Sequence, residues 1–352
     1  MTSSPTLTST QKSAARKAYY DRIAEDNLAP LWERLGNLVT PTPRPATQPV
    51  RWKFSIARPH LLAAGALLSV EEAERRVLVF ENPGLPGQSQ ITASLYAGLQ
   101  LLLPGERASA HRHAAAALRL ILEGTGAYTA VNGERTPMSR GDFIITPSWT
   151  WHDHGNDGPN PVIWLDGLDV PIVNLFNASF AEHYPDADFP ISRPLHDCEA
   201  RYAGALLPEN AKPTSLSSPL LNYRYAQARE TLATLHRNGP VDPCHGVKLR
   251  YANPLTGGSV MPTMSAALQL LGKGVQTAPY RSTDSTVFTV VEGKGRSTVG
   301  EKSFEWEEND VFVVPSWTPH HHAAETEAVL FSFSDRTAQE KLGLWREHRD
   351  QP

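Results

Sequence analysis

Three histidines in the first half of the chain have the spacing of a metal site. His111 and His113 stand two apart in a run with the pattern of a β-strand, where alternate side chains point to the same face. His152 follows about forty residues later, after a strand–turn–strand pattern. Three neutral imidazoles leave coordination positions open, as a catalytic metal requires, whereas a structural site is usually closed by four protein ligands. We therefore predict a catalytic metal held by these three histidines.

Three more polar side chains are candidates for chemistry beside this metal. His154 stands two residues after His152, so an extended chain turns both rings to the same side. Arg119 lies between two leucines. Burying a cation inside a barrel costs free energy unless an anion pairs with it. A substrate carboxylate fits, because guanidinium binds carboxylates bidentately; the alternative is a salt bridge to a nearby acid. Asp166, a lone acid in an apolar run, is expected to orient His154 or a substrate hydroxyl, or to pair with Arg119.

The residues around these candidates have the pattern of a β-barrel. Strands are expected throughout residues 92–166, and Asn132-Gly133 is a strong hairpin signal. The 29 Pro and 24 Gly also favour many short strands joined by turns. Helices are expected over residues 13–39, over residues 69–75 with Ser69 as the N-cap, and near residues 225–235.

The last third of the chain repeats this barrel. The motif that begins at Gly105 recurs at Gly274, and the offset stays at 168–169 residues over three motifs. A repeat that holds one register indicates two copies of one domain. The three ligand positions hold Tyr280, Ser282 and His320 in the second copy, and neutral oxygen donors bind a transition metal weakly. We predict that the second barrel is metal-free and structural.

These patterns predict four segments. They are a helical arm with the first strands over residues 1–90, a metal-binding barrel over 91–175, a linker with helix over 176–260, and a metal-free barrel over 261–352. The expected fold class is mainly β, with two barrels and with helices in the N-terminal arm and the linker.

Composition and charge exclude several classes of protein. The net charge is −4 and no Lys/Arg-rich patch is present, so no nucleic-acid partner is expected. No run of about eighteen apolar residues exists, so no membrane span is expected. Residues 1–13 lack the apolar core of a secretory signal, and the first residues are expected to be disordered. Two cysteines, Cys198 and Cys244, indicate a reduced cytoplasmic protein; one bridge between them is the alternative.

The paired motifs resemble those of cupins. Gly-x5-His-x-His from Gly105 and Gly-x5-Pro-x4-His-x3-Asn from Gly141 are similar to the two cupin motifs. Many cupins carry a Glu where this chain has Ala117, so the site resembles the subset with three histidines. With its second copy the chain resembles a bicupin, which implies two jelly-roll barrels.

Longer stretches resemble the gentisate 1,2-dioxygenase family. Among them are Asn27-Leu28-Ala29-Pro30-Leu31-Trp32-Glu33, Glu74-Arg75-Arg76-Val77-Leu78, Trp151-His152-Asp153-His154-Gly155-Asn156 and Trp164-Leu165-Asp166-Gly167-Leu168-Asp169-Val170-Pro171. The resemblance implies a non-haem Fe(II) enzyme, commonly a homotetramer. Such an enzyme uses O2 to open an aromatic hydroxy acid between its carboxyl- and hydroxyl-bearing carbons, giving maleylpyruvate from gentisate.

Other substrates and metals stay open at this point. Salicylate, a substituted salicylate or 1-hydroxy-2-naphthoate is the alternative substrate. A non-oxygenase metal-binding bicupin is the alternative from another class, and three histidines also suit Zn, Mn or Ni.

The resemblance also implies roles for single residues. It places two residues against the substrate, Arg119 and His154, the latter as a general acid–base. It assigns Arg75 to the substrate-binding region, with its neighbour Arg76 as the alternative. Tyr96 and Gly98 align with pocket residues that differ between the gentisate and salicylate branches, and Tyr96 favours gentisate.

Overall fold

The structure, a computed structural model, describes residues 8–186 and 188–350. The chain divides into two compact units, Met1–Arg44 and Pro45–Pro352. The disorder expected for the first residues falls on residues 1–7, which lie outside the described part. The domain boundaries at residues 90, 175 and 260 stay a prediction.

The first unit contains two helices where the sequence predicted one helical stretch. Helix α1 spans Ser9–Glu25 and helix α2 spans Leu31–Leu38. Thr8 caps α1, because its side chain accepts from the Gln11 backbone while the Gln11 side chain accepts from the Thr8 backbone. The break follows from Asn27, whose φ of 57° lies outside the helical region, and from Pro30, since the residue before a proline is disfavoured in a helix.

The second unit is mainly β. Its helices in the described residues are α3 (Phe54–Leu67), α4 (Val70–Ala73), α5 (Val170–Leu175), α6 (Asp197–Tyr202), α7 (Tyr225–Asn238) and α8 (Arg336–Lys341). The strands before α7 are β1 (Val50–Trp52), β2 (Val77–Val79), β3 (Tyr96–Leu102), β4 (Arg107–His113), β5 (Ala117–Glu123), β6 (Ala127–Val131), β7 (Glu134–Pro137), β8 (Phe143–Thr146), β9 (His152–Asn156), β10 (Val162–Leu168), β11 (Ala181–His183) and β12 (Asn222–Tyr223). The later strands are β13 (Val247–Arg250), β14 (Ser265–Leu271), β15 (Tyr280–Ser282), β16 (Thr286–Glu292), β17 (Gly295–Val299), β18 (Lys302–Trp306), β19 (Val311–Val314), β20 (His320–Ala324), β21 (Ala328–Ser334) and β22 (Glu347–Arg349).

Each barrel is built from one six-stranded and one five-stranded antiparallel sheet. The first barrel has the strand orders β12-β8-β5-β10-β3-β2 and β11-β4-β9-β6-β7. The second has β1-β19-β16-β21-β14-β13 and β18-β17-β20-β15-β22. Strand β1 therefore joins the second barrel although it lies near the start of the unit. The mainly β fold with two barrels that the sequence predicted is confirmed.

Alternate side chains of β5 point into the hydrophobic core and into the interior of the first barrel. Leu118 and Leu120 belong to the largest hydrophobic cluster, which also contains Phe331 and Phe333 of the second barrel. Ile121 points to the other face, into the interior of the first barrel. Arg119 shares that inward face. The two six-stranded sheets thus pack on each other, and the inward residues of β5 are left to line the barrel.

Several local predictions are confirmed. Val131 pairs with Glu134 across a turn in which Asn132 and Gly133 have φ of 46° and 82°, as a type I′ hairpin requires. Ser69 caps α4, with its hydroxyl 3.2 Å from the Glu72 amide. Helix α7 begins at residue 225 as expected.

Helix α3 was not predicted. Its apolar residues do not form a clear stripe and Pro59 lies inside it. Packing on β3 stabilises it instead, because Leu61 is fully buried and a methyl group on Gly65 would lie 2.9 Å from Leu101 Cδ2. This helix covers the six-stranded sheet of the first barrel.

The internal repeat is visible in matching hydrogen bonds. Asp169, before α5, accepts from the Ala116 amide at 2.8 Å, and Asp335, before α8, accepts from the Ser285 amide at 2.9 Å. Ala116 and Ser285 are 169 residues apart, which is the repeat offset. The structure therefore confirms two copies of one fold.

Two predictions from the sequence concern the cysteines and membrane-spanning segments. Cys198 and Cys244 are both buried and free, so the alternative of a bridge between them is wrong. Within residues 8–186 and 188–350, the helices all fall short of the length and hydropathy of a membrane span.

Candidate metal centre

Two adjacent strands bring the three predicted ligands together. His111 and His113 lie at the end of β4, and His152 begins β9. His111 stands directly opposite His152 in the antiparallel pair. One nitrogen from each ring lies within 4.8 Å of the others, which is close enough for all three to reach one ion.

The hydrogen bonds of two rings leave nitrogens available to a metal. His113 Nδ1 lies 2.7 Å from the Ala115 carbonyl oxygen, and His152 Nδ1 lies 2.9 Å from that of Thr150. An imidazole that donates from Nδ1 to a carbonyl presents the lone pair of Nε2, as in most histidine-bound metal sites. His152 Nε2 is buried and has no hydrogen-bond partner among the described residues. A bound ion would satisfy this atom, so the residues present fit a metal.

Burial keeps the three rings in their ligand form. It lowers the pKa of His111 to about 2, with the Arg75 guanidinium as the second cause. It also lowers the pKa of His113, and it places that of His152 well below the ordinary value. The imidazoles are therefore neutral around pH 7, and only the neutral ring can ligate a metal.

Arg119 is a buried cation held by three neighbours. It is 3% exposed, and its Nη1 donates to Thr146 Oγ1 at 2.6 Å. Its Nη2 lies 3.2 Å from His154 Nε2, and its Nε lies 3.3 Å from Asp166 Oδ1. Asp166 stands directly opposite Arg119 where β10 pairs with β5. The salt bridge considered as the alternative for Arg119 is therefore present.

Among the described residues, Asp166 forms no hydrogen bond or ion pair with His154, one of the residues that it was expected to orient. The second nitrogen of His154, Nδ1, lies 3.0 Å from Thr129 Oγ1, because β6 places that threonine directly opposite His154. Asp166 instead accepts from Trp164 Nε1 at 3.0 Å and faces Arg119. Burial, with Arg119 as the largest opposing influence, raises the pKa of Asp166 to about 6. Arg119 therefore lies between Asp166 and His154 and contacts both.

The structure decides between the two neighbouring arginines. Arg75 lines the cavity beside the triad, donates to the Ser109 carbonyl oxygen at 2.7 Å and contacts His111 Nδ1. Arg76 points away, and its guanidinium lies 2.7 and 2.9 Å from the Glu106 carboxylate oxygens. Burial, and then the nearby Arg119, lower the pKa of Arg75 to about 10. Arg75 is the arginine that faces the site.

The triad opens into a cavity of about 380 Å³. Arg119, His154, Asp166 and Tyr96 all line it, as does Gln100, which the sequence analysis did not single out. Gln100 is 3% exposed and lies on the same face of β3 as Tyr96, four residues earlier. The period-two alternation of that strand is the signal that would have found it.

Gly98 supports the cavity without lining it. A methyl group there would lie 2.6 Å from Val77 Cγ1, 2.9 Å from the Leu78 carbonyl oxygen and 3.3 Å from the Tyr96 hydroxyl. Strand β2 and the tyrosine therefore approach the backbone more closely than any larger residue allows. This places Tyr96 in the cavity wall.

We expect Gly98→Ala to lower the free energy of unfolding by about 2 kcal/mol, because the added methyl forces β2 away from β3. The shift is also expected to move the Tyr96 hydroxyl and to raise KM for the substrate. Urea denaturation and steady-state kinetics measure the two effects. Gly204→Ala is the matched control, because no atom lies within 4 Å of a methyl group at that position. Equal unfolding midpoints for Gly98→Ala and Gly204→Ala would contradict the close approach of β2 to Gly98.

The two barrels and the single histidine triad among the described residues define a bicupin with one candidate metal centre. The cupin domain family matches residues 98–169 and 267–333. Gentisate 1,2 dioxygenase 1 of Aquipseudomonas alcaligenes is 53% identical to this chain, over 95% of the chain and 96% of that protein. The 5-aminosalicylate 1,2-dioxygenase of a Comamonas species is 36% identical over 94% of the chain and 89% of that protein. The chain belongs to the gentisate 1,2-dioxygenase family.

A solved structure matches the whole fold. The crystal structure of salicylate 1,2-dioxygenase from Pseudoaminobacter salicylatoxidans, as an adduct with gentisate, superposes with a TM-score of 0.91 at 35% identity. The match covers 99% of this chain and 96% of that chain. The resemblance stated from the motifs is thus confirmed over nearly the full length.

Proposed function

We propose that this protein is an Fe(II)-dependent gentisate 1,2-dioxygenase. It would break the bond between the carboxyl-bearing and hydroxyl-bearing ring carbons of gentisate and add both atoms of O2, which gives maleylpyruvate. The observation that carries the proposal is a histidine triad beside two arginines in one cavity, on a chain 53% identical to a gentisate 1,2-dioxygenase.

His111, His113 and His152 would hold the metal. When bound, Fe(II) supplies adjacent open positions where an aromatic acid and O2 meet, and it lets electron density pass between them. Three neutral histidines also suit Zn, Mn or Ni, so the assignment to iron is supported by the family rather than by the donor set.

The charges of the cavity favour an acidic substrate. Among the residues that line it, Arg75 and Arg119 are cations and Asp166 is the one carboxylate. One positive charge is therefore unbalanced before any metal is counted, and a buried charge needs a partner. The carboxylate of gentisate supplies it. Guanidinium holds a carboxylate with fixed geometry, so these arginines would also orient the ring.

His154 is suited to move a proton at the substrate. Burial, and then Arg119, hold its pKa well below the ordinary value, so the ring is neutral. With Nδ1 donating to Thr129, the lone pair of Nε2 faces Arg119 and the cavity. His154 would act there as a general acid–base that positions the substrate phenol, and Asp166 would keep Arg119 in place behind it.

Tyr96 would recognise the second ring hydroxyl of gentisate. It lines the cavity, and burial raises the pKa of its phenol above the ordinary value. The phenol therefore stays protonated and remains a hydrogen-bond donor. Salicylate lacks that second hydroxyl, so this contact would favour gentisate.

We also propose a cytoplasmic homotetramer that works in the catabolism of aromatic compounds. Family membership supports the assembly and the role, and two free buried cysteines support a reducing compartment.

Oxygen uptake on a panel of aromatic acids tests the function. We expect iron-loaded protein to consume one O2 per gentisate, with kcat/KM at least about tenfold higher than for salicylate or 1-hydroxy-2-naphthoate. An oxygen electrode and the absorbance of the ring-opened product measure both. A higher kcat/KM for salicylate would make salicylate the substrate in place of gentisate. Iron-loaded protein that consumes no O2 on any acid would indicate a non-oxygenase bicupin.

A further inference from the structure

The second barrel contains a cavity equivalent to that of the first. Its volume is about 360 Å³, compared with about 380 Å³ beside the triad. The edge strands β2 and β13 occupy the same place in their sheets, since Val77 pairs with Gln100 and Lys248 pairs with Gln269. Gln100 and Gln269 are 169 residues apart, which is the repeat offset. Val77 and Lys248 are therefore equivalent, and each lines the cavity of its own barrel.

The chemistry of the second cavity differs from that of the first. Within the described part of the chain, His111, His113 and His152 are the one group of three or more side chains that converge as possible metal ligands. In the second barrel the phenol of Tyr280 donates to Glu347 Oε2 at 3.0 Å. The second cavity also has a cation, Lys248, at the position where the first barrel has the apolar Val77.

Lys248 is the cation in this cavity without a bound partner. Four cations and two acids line the cavity: Lys248, Arg250, Arg336, Arg349, Asp242 and Asp284. Arg349 lies 2.7 Å from Asp242, Arg336 lies 2.7 Å from Glu340, and Arg250 donates to the Gly257 carbonyl oxygen at 3.0 Å. Trp345 Nε1 donates to Asp284 at 2.9 Å. Among the described residues the Lys248 ammonium forms no ion pair, although the Asp284 carboxylate of the same cavity partly opposes the effect of desolvation on its pKa.

The surroundings of Lys248 suit an organic anion. The Lys248 side chain is exposed to solvent through the open cavity, and desolvation by the surrounding protein lowers the pKa of the ammonium. The ammonium lies 5.9 Å from the centre of the Phe288 ring, and the His320 ring packs 6.1 Å from that ring. Ser282 and Thr286 add hydroxyl groups to the wall. An ammonium beside aromatic faces matches a carboxylate attached to an apolar body.

We propose that the cavity of the second barrel binds a small organic carboxylate of about the size of a single-ring acid. The carboxylate would lie on Lys248 and the apolar part against Phe288. This site needs neither iron nor ring cleavage, so it stands apart from the proposed function.

Calorimetric titration of the iron-loaded protein with benzoate tests this site. Benzoate has a carboxylate but no ring hydroxyl, so turnover does not interfere. We expect two equivalents per chain, one in each barrel. Lys248→Met is expected to weaken the second-barrel equivalent by about 30-fold or more, because it removes the charge that faces the carboxylate. Arg119→Met is expected to weaken the other equivalent and to leave the Lys248-dependent one intact.

Matched variants separate a lost site from a damaged fold. Lys248→Met is expected to fold, because the equivalent residue Val77 is apolar. Lys248→Arg is expected to retain the site, and Lys273→Met, an exposed lysine of the same barrel, is expected to bind as wild type. Unchanged benzoate binding in Lys248→Met would overturn the proposal. The proposal would also be overturned if the wild-type protein bound a single equivalent and Arg119→Met lost it. Absence of oxygen uptake on gentisate would overturn the proposed function and leave this result untouched.

Discussion

His113→Ala protein is expected to retain less than about one tenth of the wild-type iron and to lose ring cleavage by at least about 1,000-fold. The substitution leaves two imidazoles, and two neutral ligands do not hold a ferrous ion firmly. His113 is also the ring whose Nδ1 lies 2.7 Å from the Ala115 carbonyl oxygen, so its orientation is set by the backbone of the turn between β4 and β5. Elemental analysis gives the metal content, and oxygen uptake on gentisate gives the activity.

An exposed histidine and a metal-free preparation provide the controls. His60→Ala, on α3, is expected to keep both iron and activity, because that side chain is exposed and lies outside the cavity lining. Wild-type protein stripped with a chelator is expected to be inactive and to recover on addition of Fe(II). Full ring cleavage by the stripped protein, or by His113→Ala without iron, would contradict the assignment of the triad.

The pairing of His111 with His113 was predictable because its geometry is local. Two histidines two apart on a strand must share a face, and β9 adds the third directly opposite His111. The hairpin at Asn132-Gly133 was predictable for the same reason, since the turn type depends on two residues. Such features follow from the period of a strand or from the conformational preference of single residues.

The orientation of Arg75 was not predictable from local patterns. Glu74, at the end of α4, has a φ of 52°, a left-handed conformation that few non-glycine residues adopt. This turn aims Arg75 at the triad and leaves Arg76 to pair with Glu106. A pattern that assumes regular strand or helix geometry cannot give the direction of a side chain beside such a residue. The partner of His154 was hidden for a related reason, because Thr129 lies on a different strand.

The second barrel shows a limit of motif comparison. Its motif positions predict a metal-free and structural barrel, because Tyr280 and Ser282 replace two histidines. The cation on which the proposed site depends, Lys248, belongs to β13, which lies outside both motifs and joins the sheet of the second barrel at its edge. Only the pairing of β13 with β14 places this residue at the position of Val77.

Arg119→Met is expected to raise KM for gentisate by about 10- to 100-fold with the iron retained. A charge-assisted hydrogen bond contributes about 1.5–3 kcal/mol, and 1.4 kcal/mol corresponds to a factor of ten. Arg119 lies opposite Asp166 and does not contact the triad nitrogens, so the metal content is expected to stay at the wild-type level. Steady-state oxygen uptake over a range of gentisate concentrations measures KM and kcat separately.

The effect on kcat distinguishes substrate binding from the placement of His154. Arg119 Nη2 lies 3.2 Å from His154 Nε2, so its loss frees that ring on one side and is expected to lower kcat as well. Arg112→Met is the control, because Arg112 lies between the two ligands of β4 but faces outward, where it pairs with Glu182 at 2.8 Å. That variant is expected to keep the wild-type KM. An unchanged KM in Arg119→Met with full iron content would remove Arg119 from the substrate and leave Arg75 as the cation that holds the carboxylate.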